Sequence, residues 1–553
     1  MKTMKKFLSM AALAMVGAMT VGCTSEDNVI DQAQTATKNN VVTQTVTVGF
    51  DEQAATRALA IDYTAETLTK TFKADDQIAV IYENTSNELV KATVTIAAGD
   101  ITAEGKSAKF TVTMTNPKAS GTLKYIYPAA MAGATDVDYN KLNSQDGTLA
   151  SLASNLDLAV YDGTLTAEKA LPASATLENK LAILALTIKN SGGTELTGIT
   201  GMNIIAGTNS YSITGKDGDG HIYAAIQPTS GANISYFATD GIKNYTKAVT
   251  DKTYAADNIY NLGLKMTDAS VVSLEGVSEG ETINVSNGQT ITGALTDDEG
   301  YLTSATITIE DGAIVTLKDV VINQDGDVSG SGSGITCAGN ATIILEGTNT
   351  VKGFDRSGIE VKSGKTLTIL GTGELNASGY NTFSGIGGEG NIVINGGNIT
   401  ATGGSNGGAG IGGAYNGTCG NITISGGTIT ATGGKKAAGI GGGYLASCGN
   451  ITISGGTINA TGGSEGDLYG AGIGSGASGS IFDTTSITIT SGVEKVTATR
   501  GGDGGECKFI GAGSWGNSGA ILTIDGVADA TTSSDFPNFT SDVSGNTWTL
   551  THK

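Results

Sequence analysis

The sequence predicts an all-β chain in which an antiparallel sandwich region is followed by a parallel β-helix. Two observations carry this. First, Gly390–Gly463 reads as three near-identical lines, GNIVINGGNITATGGSNGGAGIGGAYNGTC, GNITISGGTITATGGKKAAGIGGGYLASC and GNITISGGTINATGG. Ile392, Ile422 and Ile451 hold the same place in each, 30 and then 29 residues apart. Self-similarity at a fixed period marks a stacked repeat. Alternating runs separated by paired glycines mark short strands and corners. Second, residues 45–268 carry alternating apolar runs at short spacing between Asp, Asn and Gly turns, the pattern of an antiparallel sandwich.

Composition agrees with that class. There are 83 glycines, 5 prolines and 5% aromatic residues in 553. A chain so poor in large side chains must fill its core by close backbone stacking. The net charge of −21 disfavours nucleic acid and anionic membrane surfaces as electrostatic partners. Two histidines far apart, His221 and His552, offer no Ser–His–Asp or His–metal pattern.

Met1–Gly22 has the form of an export signal. Lys2, Lys5 and Lys6 precede the apolar run Phe7–Val21, which is too short to span a bilayer. Val21-Gly22-Cys23 resembles a bacterial lipobox, although Thr20 stands where Leu is usual. The resemblance implies cleavage before Cys23 and its lipidation. The acidic, polar Thr24–Asn28 is similar to the export tag of surface lipoproteins in some Gram-negative anaerobes. Residues 23–44 are expected to form a flexible tether.

In the sandwich region, strands are expected at Val46–Phe50, Phe72–Tyr82, Ala92–Ile96, Ala108–Met114 and Leu123–Tyr127. Leu181–Ile188 (LAILALTI) is the most apolar and is expected at the centre. Thr56-Arg57-Ala58, then FKADDQIAVIY, LKYIYPAAM, LENKLAILALTIKN and YAADNIYNLGLKM follow in order. Together they resemble the fimbrillin-like family of fimbrial subunits and anchored lipoproteins over about 220 residues. The resemblance implies two transthyretin-like β-sandwiches, divided here as 45–170 and 171–268. It also implies proteolytic processing after Arg57 and strand addition to other fimbrial subunits in members that polymerise. Fusion to a β-helix departs from a simple subunit and fits a stalk.

The β-helix is expected over 269–553. Its coils begin irregularly at Ile283–Val285 and regularise from Ile343–Leu345 and Leu367–Ile369 through Ile392, Ile422, Ile451 and Ile487 to Leu522–Ile524. Equivalent positions stack, so Asn391, Asn421 and Asn450 are expected to form a corner ladder. Cys419 and Cys448 fall at one position on neighbouring coils, within reach of a disulfide, with two buried thiols as the alternative. Cys337 and Cys507 have no matching phase.

No catalytic constellation is expected. Cleaving a polysaccharide needs clustered carboxylates, or carboxylates holding Ca²⁺ beside a base. Asn391–Ser464 contains no Asp or Glu. Acids outside it, such as Asp311, Asp319, Asp355, Asp467, Asp483 and Asp503, lack a pairing pattern. Asp325-Gly326-Asp327 could bind Ca²⁺, but two acids flanking a Gly are common in turns; no metal or other cofactor is expected. Aromatic residues carry more information. Tyr415 lies four residues after Ile411, Tyr444 four after Ile440 and Trp515 five after Ile510, which places them on one side of the rod. Tyr380 and Tyr469 precede the Gly-rich segment of other coils. Exposed aromatic rings stack on sugars; the competing expectation is a ladder that seals the corner.

Gly334–Gly353, Thr366–Gly379 and the GAGIGG–GNITISGGTITATGG repeats resemble carbohydrate-binding β-helix modules of bacterial surface proteins. That resemblance implies a polysaccharide or glycan ligand, without assigning a residue to it. The expected protein is a non-enzymatic, lipid-anchored adhesin of the outer membrane facing the cell exterior. A polysaccharide lyase or hydrolase and a pilus subunit are the alternatives.

Overall fold

The computed structural model describes residues 40–50, 70–207, 209–296, 304–323, 330–478, 486–504, 506–515 and 521–553. Cys23, Arg57, Asp325, Asp327 and Asp483 lie outside them. The protein is all-β, as expected: sandwich sheets first, then a parallel β-helix.

One curled sheet of eight strands forms the first sandwich. Its order is Leu89–Thr95, Gln77–Glu83, Thr122–Tyr127, Ala159–Thr164, Ser174–Asn179, Val41–Phe50, Ser107–Thr115, Ile101–Thr102. Strict alternation aims Ala108, Phe110, Val112 and Met114 inward, against Val46, Val48 and Phe50 from the neighbouring strand. The second sandwich sets a three-stranded sheet against a six-stranded one. Ala182–Lys189 is the middle strand of three, between Ile222–Ile226 and Ile259–Lys265. Leu181–Ile188 is therefore central, as its composition demands.

Two boundaries differ from the sequence expectation. The tether does not extend to residue 44, because Val41–Gln44 already pairs with Val112–Thr115. The sandwiches do not divide at 170/171. Ser174–Asn179 completes the first sheet beside Val41–Phe50, while Ser144–Gln145 crosses into the six-stranded sheet of the second. Leu142, Leu152 and Leu156 also serve the second core. The wall is shared: in Gln77–Glu83, Ile78, Val80 and Tyr82 face one core and Ala79 and Ile81 the other.

The solenoid begins at Val271 and has three faces. Two belong to one 18-stranded sheet, and the third is a nine-stranded parallel sheet. Ile392, Ile422, Ile451, Ile487 and Leu522 stack in register, as predicted. At one corner the Asn side chains bond forward. Asn391 Oδ1 accepts the N–H of Asn421 (2.8 Å), Asn421 Oδ1 that of Asn450 (2.8 Å), and Asn450 Oδ1 that of Ser486 (2.9 Å). The ladder thus joins side chain to backbone. The far end is closed by an antiparallel hairpin, Phe539–Ser544 and Thr547–His552, which buries Phe536, Phe539, Trp548 and Leu550 over the last coils. Such a departure from the coil pattern is what an end cap requires.

The second sandwich is not a stalk standing clear of the rod. It lies along the solenoid's flank. Phe237 packs on Ile344 and Leu370. Asn395 Nδ2 donates to Ser210 Oγ (2.7 Å), Asn143 Nδ2 to Ser425 Oγ (3.0 Å), and the Ala134 N–H to Ser491 Oγ (3.0 Å).

Candidate ligand-binding site

Each regular coil ends its third face in Ile-Gly. Ile411-Gly412, Ile440-Gly441, Ile473-Gly474 and Ile510-Gly511 pair in parallel. The glycine is obligatory in these coils. Its φ lies between +125° and +135°, and a Cβ on Gly412, Gly441 or Gly474 would stand within 2.0 Å of the next coil's carbonyl oxygen. The chain then turns outward into a short loop.

These loops align four and five residues past the isoleucine. The fourth position holds Tyr415, Tyr444, Ala477 and Ser514. The fifth holds Asn416, Leu445, Ser478 and Trp515, all left-handed at φ +52° to +59°. Asn tolerates that conformation; for other L-residues it costs about 1–2 kcal/mol. Leu445 and Trp515 nonetheless occupy it, and are 38% and 70% exposed. Trp515 is therefore in register with Leu445, while Tyr415 and Tyr444 form the neighbouring row. The five-residue offset was visible in the sequence; the handedness of the position was not.

A seam of backbone bonds ties each loop to the turn before the glycine segment of the preceding coil. The N–H groups of Tyr415, Tyr444, Ala477 and Ser514 donate to the carbonyls of Thr382, Gly407, Lys436 and Tyr469, at 2.7–2.8 Å. All five aromatic candidates thereby lie along one line. Tyr380, half exposed, sits on the turn that holds Tyr415. The Tyr415 and Tyr444 rings stand 5.3 Å apart at 52°. Tyr469 lies on the bare backbone of Gly502 and Gly504, and its N–H donates to Ser514 Oγ (2.7 Å), beside Trp515. Five stacked coils place the ends of the line about 19 Å apart at the usual strand spacing.

Charge enters between Tyr444 and Tyr469. Lys436 Nζ stands 4.7 Å over the Tyr444 ring, a cation–π geometry. Glu465 bonds Lys436 (2.5 Å) and Lys435 (2.9 Å). The Lys436 and then the Lys435 bonds hold its carboxyl down at about 2. Lys435-Lys436 stands out in the sequence as a charged pair between coils; the Glu465 that binds it does not. Its place is set by a small hairpin, Ser464–Glu465 with Leu468–Tyr469, inside the longest coil.

Cys419 and Cys448, the last residues of the Tyr415 and Tyr444 loops, meet as a parallel bridge and are joined by a disulfide. Cys337 and Cys507 are buried free thiols, pushed up by burial to about 12 and about 11. The acids in the described irregular coils serve corners instead: Asp311, Asp319 and Asp355 accept the N–H groups of Asn340, Thr348 and Gly332. Among the described residues no group of three or more His, Cys, Asp or Glu is placed to hold a metal ion.

A β-helix repeat family model matches residues 392–415, 422–444 and 451–477, which is the seam-bearing stretch. No curated protein matches. Among solved structures, the chain is similar to a candidate cell adhesion protein from Bacteroides ovatus, at 15% identity over 41% of this chain and 95% of that one, with a TM-score of 0.24. It is also similar to a fimbrial assembly protein from Parabacteroides distasonis, at 10% identity over 41% and 90%, with a TM-score of 0.23.

Proposed function

We propose that the protein is a cell-surface adhesin whose solenoid corner binds a glycan without cleaving it. The observation that carries this is the exposed apolar row at the left-handed loop position. Leu445 and Trp515 hold large, exposed apolar side chains at a left-handed position that Asn416 tolerates more readily, and strain of this kind gathers at functional sites. With Tyr415, Tyr444, Tyr469 and Tyr380 they line the seam with flat apolar surfaces, and Lys436, Lys435 and Glu465 provide polar contacts. Sugars present the complementary alternation of C–H faces and hydroxyl rims. The coil spacing suits an extended polysaccharide lying along the rod.

The charge state of Glu465 supports binding without cleavage. A glycosidic general acid needs a raised pKa and a second carboxylate nearby. Glu465, the acid bonded to the seam's two lysines, is shifted the opposite way by them. Lipidation at Cys23 would hold the chain on the outer membrane, with the solenoid facing outward; mass spectrometry of the membrane-bound chain tests it, and an unmodified Cys23 removes the anchor.

A glycan array on the full chain tests the main reading. Expected is binding to one or more polysaccharides, lost in the double variant Tyr415→Ala/Tyr444→Ala. Cleavage of a pectin-like polysaccharide with no binding elsewhere on the array would favour a lyase instead. One observation supports the fimbrial alternative. Val41–Phe50 is hydrogen-bonded on both sides, antiparallel to Ser107–Thr115 and parallel to Ser174–Asn179. Excision after Arg57 would open a slot for another subunit's strand, and Arg57-cleaved polymers on cells would reveal it.

A further inference from the structure

The cap hairpin pairs with the last strand of one solenoid face, Val493–Thr499. The nine-stranded face ends at Ile510–Gly511, its last strand among the described residues. In the coils beneath, the same backbone donors reach forward. The N–H groups of Ile411, Ile440 and Ile473 donate to Gly439, Gly472 and Phe509, and those of Gly413, Gly442 and Ser475 to Gly441, Gly474 and Gly511, at 2.8–3.1 Å. Their counterparts, the N–H groups of Ile510 and Ala512, have no partner among the described residues. By the alternation of a parallel ladder the Ile510 carbonyl faces the same way. Gly511 keeps the position free of a Cβ, and a Cβ there would meet only Lys508.

This edge is nearly buried: Ile510 and Ala512 are 5% and 4% exposed, and the cap's Trp548 lies in the same groove. It forms one side of a groove of about 640 Å³, with Asp529, Thr531 and Trp548 opposite and Arg500, Glu506 and Lys508 at its rim. Arg500 is stacked 4.6 Å over Phe509 and bonded to the Cys507 carbonyl (2.9 Å). Among the described residues neither Arg500 nor Lys508 pairs with Glu506 or Asp529, although all four line the one groove.

We propose that this groove is a second binding site, taking an extended peptide strand of another polypeptide that adds to Ile510–Ala512. A donor, an acceptor and a donor in line at strand spacing match a peptide backbone. A carboxylate or phosphate would meet the Ile510 carbonyl, an acceptor, between the two donors. Unpaired charges of both signs at the rim suit side chains of both signs. Proteins commonly shield such edges; here Ile510, Gly511 and Ala512 are nearly buried and meet solvent through the groove they line.

The probe is a phage-displayed random peptide library panned on the full chain. Expected are enriched peptides whose affinity falls at least tenfold in Ala512→Pro, which deletes an edge donor that makes no bond within the protein. Thr531→Trp, which fills the groove from the opposite wall and leaves the edge intact, should have the same effect. An unchanged melting temperature shows that each variant is folded; if Ala512→Pro unfolds, Thr531→Trp decides. No enrichment, equal binding to the folded variants, or displacement of the peptides by an acidic glycan would overturn the proposal. Because the glycan seam is read by array and this groove by peptide, failure of one leaves the other standing.

Discussion

The sandwiches and the solenoid are built from the same strand geometry but use aromatic residues in opposite ways. In the sandwiches Tyr82, Tyr127, Tyr211, Tyr236 and Tyr254 are buried, and each hydroxyl is bonded, as between Tyr236 and Tyr254 (3.0 Å). Two sheets about 10 Å apart leave space that large rings fill. In the coils from Ile386 to Ile510 the buried interior is Ile, Ala, Val and the Cys419–Cys448 pair. The aromatic residues Tyr415, Tyr444 and Tyr469 of these coils stand in the outer loops instead, whereas Phe354 is taken into the core of an earlier coil. The same residue type is thus evidence of packing in one region and of a contact surface in the other.

The largest test of that contrast is Tyr236→Ala. It should cost about 3–5 kcal/mol of folding stability in chemical denaturation, as large core truncations do. Tyr415→Ala should cost no more than about 0.5 kcal/mol, yet lower glycan affinity at least tenfold. Equal costs would erase the distinction.

Next in size is the disulfide. Replacing Cys419 and Cys448 by Ser should lower stability by about 2–4 kcal/mol, the usual range for closing a loop of this order. The same variant should weaken glycan binding, because the bridge joins the ends of the two tyrosine loops. A smaller effect of opposite sign is expected at the left-handed row. Leu445→Asn should raise stability by about 1 kcal/mol by relieving backbone strain, while reducing affinity. A variant that gained both would show that the exposed row has no role in binding.

The smallest effect concerns pH. Glu465 has its folded pKa lowered from 4.5 to about 2. The tie to Lys435 and Lys436 contributes fully above the unfolded value and is lost as pH falls through about 2. Between pH 7 and pH 5 the seam should therefore bind its ligand unchanged, and a carboxyl titration followed by NMR should find Glu465 still ionised at pH 4.

How far the sequence revealed this depends on the range of the interactions. The solenoid was legible because each coil repeats the local pattern of its neighbour. Ile392, Ile422 and Ile451, the Asn corner, and the phase of Tyr415 and Tyr444 all follow from counting. The sandwich boundary was not legible. It depends on Ser144–Gln145 and Ser174–Asn179 changing sheets, which are pairings between segments distant in the chain. The flank contacts of Asn143 and Asn395 were hidden for the same reason. Within the site, the strain at Leu445 and Trp515 belongs to backbone handedness, which apolar periodicity does not report. The unpartnered N–H groups of Ile510 and Ala512 emerge only once the nine-stranded face is seen to end there while the cap pairs with Val493–Thr499.

The corner Asn ladder has a consequence for how such a rod can change. Asn391, Asn421 and Asn450 each fix the start of the following coil, whether 30, 29 or 36 residues separate the bonded pair. Pitch is thus indexed at one corner, and coil length is free to vary elsewhere. The hairpin carrying Glu465 and Tyr469 is such a variation, accommodated without loss of register. New loops can be tried on the exposed side, one coil at a time, with the remaining layers kept in alignment like pages at a spine.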